Sequence, residues 1–449
     1  MSSSVAGGNE RPFRGGPLIP ILFFITPLFT AASPRLAPFL LPVVAAVLMI
    51  AALRRGLPWR DLLKPNAALI ALVAVAAYAG LSAIWAADPE AALSKCALLL
   101  GTTLVVFAAS AAIPTLDADQ VRRASQAFVA GAFCAAGFVA IELLTDGAIT
   151  RATMNAFPSF RPERAKHVTI HHDRVTKINL SEFNQDIAIL ALLLWPGLLA
   201  LRALPSPRRM LLSVLFFLAL AVPIAISEHD SSQVGLVASL LVLLLAWMSP
   251  RAVARGLAIA WCLGFVLVIP LDFLAFKADL HEAKWLPMSA RARIIIWEYT
   301  AERVLEKPWL GVGADSTPAM IVKPKSPSER PKGFVIRRTT GQHAHNLFLQ
   351  SWYELGVLGV ILAALAGAAV ALRILLLPAA AQAYGAASFT MVAVIAAFAW
   401  GMWQVWLICA VGLLPLYLPM PSALLRPPPM ARPRPRLDDA GPSVPEAVS

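Results

Sequence analysis

Between residues 17 and 418 the chain passes through about twelve apolar runs, each near the length a bilayer-spanning helix requires. Inside a bilayer such a run has no water to bond, so its backbone N–H and C=O groups must pair internally and a helix results. With 58% hydrophobic and 14% charged residues over 449 positions, the expected fold is an all-α polytopic membrane protein. The runs lie near 17–32, 38–53, 67–85, 96–113, 124–144, 187–204, 210–226, 234–248, 256–276, 347–372, 386–400 and 405–418. Gly401 and Gln404 interrupt the last two only weakly, so they also read as one broken helix.

Basic residues set the orientation, because short loops rich in Lys and Arg remain cytoplasmic. With the N-terminus inside, the inner segments hold 18 Lys and Arg and the short outer loops only Arg35 and Lys95. The other 18 fall in two long outer segments, 145–186 and 277–346, where length overrides the charge rule. This puts both termini in the cytoplasm and both long segments on the outer side. The formal charge of +12 does not indicate a nucleic-acid partner, since about half the basic residues are topological anchors facing membrane lipids.

The chain divides into helices and an outer loop (145–186) over 1–276, a large outer loop domain (277–346), C-terminal helices (347–418) and a cytoplasmic tail (419–449). The tail is proline-rich and reads as disordered. The first run lacks a small-residue cleavage site and reads as a retained helix. All four cysteines fall in apolar runs, which points away from disulfides or a cysteine metal site in the outer loops.

All seven histidines lie on the outer side, where imidazole can exchange protons near neutral pH; outer loops also simply hold most of the polar residues. In the larger segment an amphipathic helix is expected over 289–307, with Ile294, Trp297, Ala301 and Val304 on one stripe and Glu298, Glu302 and Glu306 on another. It would lie on the membrane face with Trp297 at headgroup depth and Arg291 and Arg293 in its first turns. Farther on, Asn346 is placed to cap the helix starting at Leu347, which leaves His345, two residues after His343, just outside a helix N-terminus. A neutral imidazole there suits a general base, and equally suits a side chain that holds a loop carbonyl. The stretch HVTIHHDR from His167 has poor spacing for a metal site. The six basic residues of 145–186 suit either a phosphorylated ligand or lipid headgroups.

Residues RIIIW (293–297), EKPWLGVG (306–313), HNLFLQ (345–350) and ELGVLG (354–359), in this order around one large outer loop, resemble the O-antigen ligase and O-antigen polymerase family of bacterial envelope glycosyltransferases. The resemblance implies a fold of the lipid-linked-sugar transferase (GT-C-like) kind. It further implies a glycan donor on undecaprenyl diphosphate, an acceptor hydroxyl on lipid A core or on another lipid-linked glycan, and transfer with no metal or other cofactor. Within it His345 matches the family's histidine and Arg293 its arginine. The further substrate-binding candidates are Arg291, Arg337, Arg338, His343, Asn346, Gln233 and His229. The sequence departs from the ligase pattern at Gln233, where the resemblance leads one to expect another arginine. Glu228, His229 and Asp230 beside it read either as part of a donor site or as a solvated turn.

Three functions follow from these readings: an O-antigen ligase-like glycosyltransferase acting in the periplasm, an O-antigen or exopolysaccharide polymerase with the same mechanism, and a polysaccharide transporter or export channel. Transporters place ionisable groups at mid-membrane depth, whereas the runs here are nearly free of charge apart from Glu142 and Asp272, both expected near the outer surface.

Overall fold

The computed structural model describes residues 17–161, 168–320 and 339–426. The tail from Pro427, together with Arg164, Lys166, His167, Arg337 and Arg338, lies outside the described residues. Among those described, eleven helices are long and apolar enough to cross a membrane, and Leu18–Ala32 is a shorter apolar helix. The protein is a multi-pass, all-α membrane protein.

Helices α1 (Leu18–Ala32), α2 (Ala37–Leu53), α3 (Ala67–Leu81), α4 (Pro89–Ala112) and α5 (Ala118–Leu144) form the first half, α1 packing along α5 and α3 along α4. Short α6 (Ala148–Ala156) and the antiparallel hairpin β1 (Val168–His171) and β2 (Arg174–Ile178) follow. Next come α7 (Asn184–Ala203), α8 (Arg209–Ile226), α9 (Asp230–Met248) and α10 (Pro250–Lys277). Helix α11 (Met288–Glu306) precedes α12 (Leu347–Arg373), α13 (Ala379–Phe398) and α14 (Val405–Tyr417). The span containing α7 is 83% buried and that of α10 only 22%, so α7 forms the centre of the bundle while α10 presents an apolar flank. Indole N–H groups pin α12 to α10: Trp352 donates to Phe265 O at 2.8 Å and Trp261 to Ala363 O at 3.1 Å.

Several expectations are corrected. Helix α13 begins at Ala379, not near 386, because the Gln382 amide donates back to Leu375 O and Leu377 O (3.2 and 3.0 Å) and so sits in a helix without orphaning its own polar group. Helices α13 and α14 are separate elements, as two of the twelve runs led one to expect, joined by the turn 399–404. Lys95 is not in a loop: Pro89 starts α4, Asp88 caps it by accepting from Ala91 N, and Lys95 stands in its second turn. The stretch from Val168 is a hairpin, with His172 and Asp173 supplying the two left-handed turn residues at φ +48° and +56°. Arg161 is committed there, paired with Asp173 at 2.6 Å and bonded to Met154 O at 3.1 Å. Glu142, in the last turn of α5, accepts from Thr150 N and Oγ1, both at 2.8 Å, and fastens α6.

Candidate active site

The site is assembled around a break in α12. Gly356 has φ +62° and ψ −168°, a conformation essentially confined to glycine, and a Cβ there would lie 2.3 Å from Trp309 O. Interrupting the helix exposes carbonyls that the 308–313 loop satisfies. Val312 N donates to Tyr353 O (3.0 Å) and Gly313 N to Glu354 O (2.8 Å), while Val357 N donates to Pro308 O (2.9 Å). Tyr78 OH completes the set by donating to Leu355 O at 3.1 Å. The two motifs EKPWLGVG and ELGVLG are thus two sides of one seam. Sequence periodicity alone presents this region as one uninterrupted span.

The Glu354 carboxylate, fully buried, closes that seam. It accepts from Asp315 N (2.8 Å), Thr317 N (3.3 Å) and Gln350 Nε2 (3.0 Å), and also from Thr317 Oγ1 and Trp403 Nε1. Gln350 Oε1 in turn accepts from Met402 N at 3.1 Å. The turn 399–404 is thereby fixed against the short first half of α12.

That turn bears on the histidines. Ala399 O accepts from His345 Nδ1 at 2.5 Å, and the Trp400 ring stacks on His229 with centroids 4.7 Å apart and planes at 26°. Gly401 is pressed against His343, where a Cβ would approach His343 Cβ to 2.7 Å. The rings of His343 and His345 are 4.2 Å apart. His345 has φ +53°, and Asn346 caps α12 by accepting from Phe348 N (3.0 Å) and Leu349 N (3.2 Å). Because a carbonyl only accepts, Nδ1 carries the proton and the Nε2 lone pair of His345 is left for other work. Of the two sequence readings, the contact with a loop carbonyl is seen, and it leaves the second ring nitrogen compatible with the other reading.

Arg293 on α11 supplies positive charge to the same place. Burial, and then Arg293, pushes His229 down to about 3. His343 is pushed down to about 4 by burial, by His345 and by Arg293. His345 is lowered by burial; the Ala399 hydrogen bond opposes this and the Arg293 charge adds to it. The helix-terminus argument therefore reaches the right direction, but burial is the larger cause. Arg293 itself is lowered by burial and supported by Asp230, and Ser289 Oγ donates to Asp230 Oδ2 at 3.2 Å, tying the start of α11 to that of α9.

The structure thus brings Arg293, His229, His343, His345 and Asn346 into one neighbourhood. Arg291 is half-buried on the same helix, its Nε without a hydrogen-bond partner among the described residues. His229 is 4% exposed, with Nδ1 2.7 Å from Ser232 Oγ, so the turn before α9 is not simply solvated, although Glu228 is exposed. Gln233 donates through Nε2 to Ala225 O (3.2 Å) and Ser227 O (2.8 Å), finishing α8. Trp297 is not a headgroup anchor: it donates to Ala344 O at 2.7 Å and packs against the Val268, Ala301 and Val304 cluster. Glu298, expected on the polar stripe, is 6% exposed. The interruption at Gly401 and Gln404 was read from the sequence, but the part that the turn 399–404 plays in the site escaped it, although its indoles were the signal available.

Residues 214–364 match the family model described as O-antigen ligase. That segment, which contains α9, α11 and the first half of α12, is similar to the O-antigen ligase family. A search of curated proteins found no match.

Proposed function

We propose that the protein transfers a glycan from undecaprenyl diphosphate to a sugar hydroxyl of lipid A core at the periplasmic face of the bacterial inner membrane. The observation that carries this reading is the pairing of a neutral imidazole, proton on Nδ1 and lone pair on Nε2, with a half-buried guanidinium whose charge reaches it. His345 Nε2 takes the proton of the acceptor hydroxyl as its oxygen bonds to the anomeric carbon. The bond from that carbon to the diphosphate oxygen breaks, and the lipid diphosphate leaves with its negative charge facing Arg293, with Arg291 as second donor. The sugar diphosphate is already activated, so the transfer consumes no nucleotide. Arg337 and Arg338 are further candidates for holding the donor, and Asn346 for keeping His345 in place.

Gln233 favours a second reading, polymerisation of lipid-linked repeats for O-antigen or exopolysaccharide, because a neutral amide bonded to α8 stands where a ligase pattern calls for arginine. Deleting the gene in its host separates these. Core lipid without polymer supports the ligase, core bearing a single repeat supports a lipopolysaccharide polymerase, and unchanged lipopolysaccharide with a missing secreted polymer supports the exopolysaccharide branch. Unchanged envelope and secreted glycans would overturn the transferase reading.

A further inference from the structure

A cavity of about 160 Å³ opens on the side of His343. At roughly 30 Å³ per water it holds about five waters, room for one sugar ring and too little for an oligosaccharide or a lipid chain. Its wall includes Lys95 of α4, Asp315 of the loop beyond α11, Gln342, His343, Trp403 and Gln404. No lining residue comes from α9 or α11, the helices that bear Asp230 and Arg293.

The chemistry of the wall selects the occupant. Lys95 Nζ lies 3.3 Å from Asp315 Oδ2, and both side chains are only about one-fifth exposed, at 19% and 21%. The pair cancels its own charge, so the cavity offers an anion no net attraction, unlike the arginine side of the site. Ammonium donors, carboxylate acceptors and the amides of Gln342 and Gln404 instead match hydroxyl groups, each of which both donates and accepts. Trp403, whose N–H is committed to Glu354, presents ring carbon only. Through His343, whose ring is 4.2 Å from that of His345, the cavity is one imidazole away from the basic nitrogen.

We propose that this cavity is a subsite for a single neutral sugar residue, the one whose hydroxyl accepts the transferred glycan. Its assignment to the acceptor rests on the glycosyltransferase reading; its affinity for a neutral sugar does not. In the transfer, the hydroxyl oxygen bonds to the anomeric carbon, the carbon–diphosphate bond breaks, and the hydroxyl proton ends on His345.

The test is saturation-transfer difference NMR on the full-length purified protein with methyl glycosides of glucose, galactose, mannose and N-acetylglucosamine. At least one glycoside is expected to show ring-proton transfer that falls about tenfold in Gln404→Trp, which fills the cavity, and also falls in Lys95→Gln, which keeps its shape. A variant that does not elute as a folded protein is set aside and the other decides. No glycoside signal, a signal indifferent to the folded variant, or displacement of the glycoside by farnesyl diphosphate with the same sensitivity to the variant would overturn the subsite. Binding is read without turnover. Glycoside binding here with no glycan transfer by the protein would therefore overturn the transferase reading alone, and transfer without such binding would overturn the subsite alone.

Discussion

His345 carries two obligations on one ring, and each can be removed separately. His345→Ala is expected to reduce glycan transfer by about 10²- to 10⁴-fold, the range for a lost general base, while the protein still inserts and purifies; ordinary transfer by this variant would show that the base is another group. Arg293→Ala is expected to cost about 10²-fold or more, because the departing diphosphate loses a preorganised cationic donor. On the acid side the stability profile is shared by the buried histidines, with His229 pushed furthest. Its folded value is pushed from 6.5 to about 3, so between those limits the unfolded chain binds a proton that the folded chain refuses. Stability should therefore fall as pH drops through that window, with the loss complete below it. Melting of the purified protein should show this fall, and His229→Phe, which keeps the ring stacked on Trp400, should make the profile shallower; an unchanged slope would contradict the neutral, buried assignment.

At the scale of elements, the break in α12 is what turns a membrane span into a scaffold. Gly356→Ala forces a side chain into a glycine-only conformation against Trp309 O, and should cost about 1–3 kcal/mol from backbone strain before any clash is counted. Glu354→Ala leaves Asp315 N, Thr317 N and Trp403 Nε1 without their acceptor, at about 1–3 kcal/mol for each buried donor. Both changes should reduce folded yield and melting temperature. A Glu354→Ala protein that melts like the parent would show that the seam is not held by this carboxylate. Apolar periodicity made the helices legible because lipid imposes one requirement on every run. It could not reveal the break: the residues that satisfy the freed carbonyls, Pro308, Val312 and Gly313, come from a separate loop, and ELGVLG remains apolar enough to read as continuous helix. Asn346 was legible because capping is local, whereas the role of Ala399 depends on a contact made 54 positions along the chain.

For the molecule as a whole, the arrangement of basic residues makes a sidedness that labelling can check. In intact cells Asp173→Cys, at the hairpin turn, should react with a membrane-impermeant maleimide, and Ser206→Cys, between α7 and α8, should react only after permeabilisation; the reverse pattern would turn the site towards the cytoplasm. Histidine distribution is the sequence's argument for an outward site. Which histidines gather was set by burial and by Arg293, quantities that no one-dimensional pattern contains. The seam also has a consequence for biogenesis. The carbonyls of Tyr353 and Glu354 meet their partners in Val312 and Gly313 only when two stretches synthesised at different times come together. A nascent chain arrested ahead of Leu347 would leave the 308–313 loop with no helix to dock on, so the order in which segments leave the ribosome becomes part of how this membrane protein reaches a working shape.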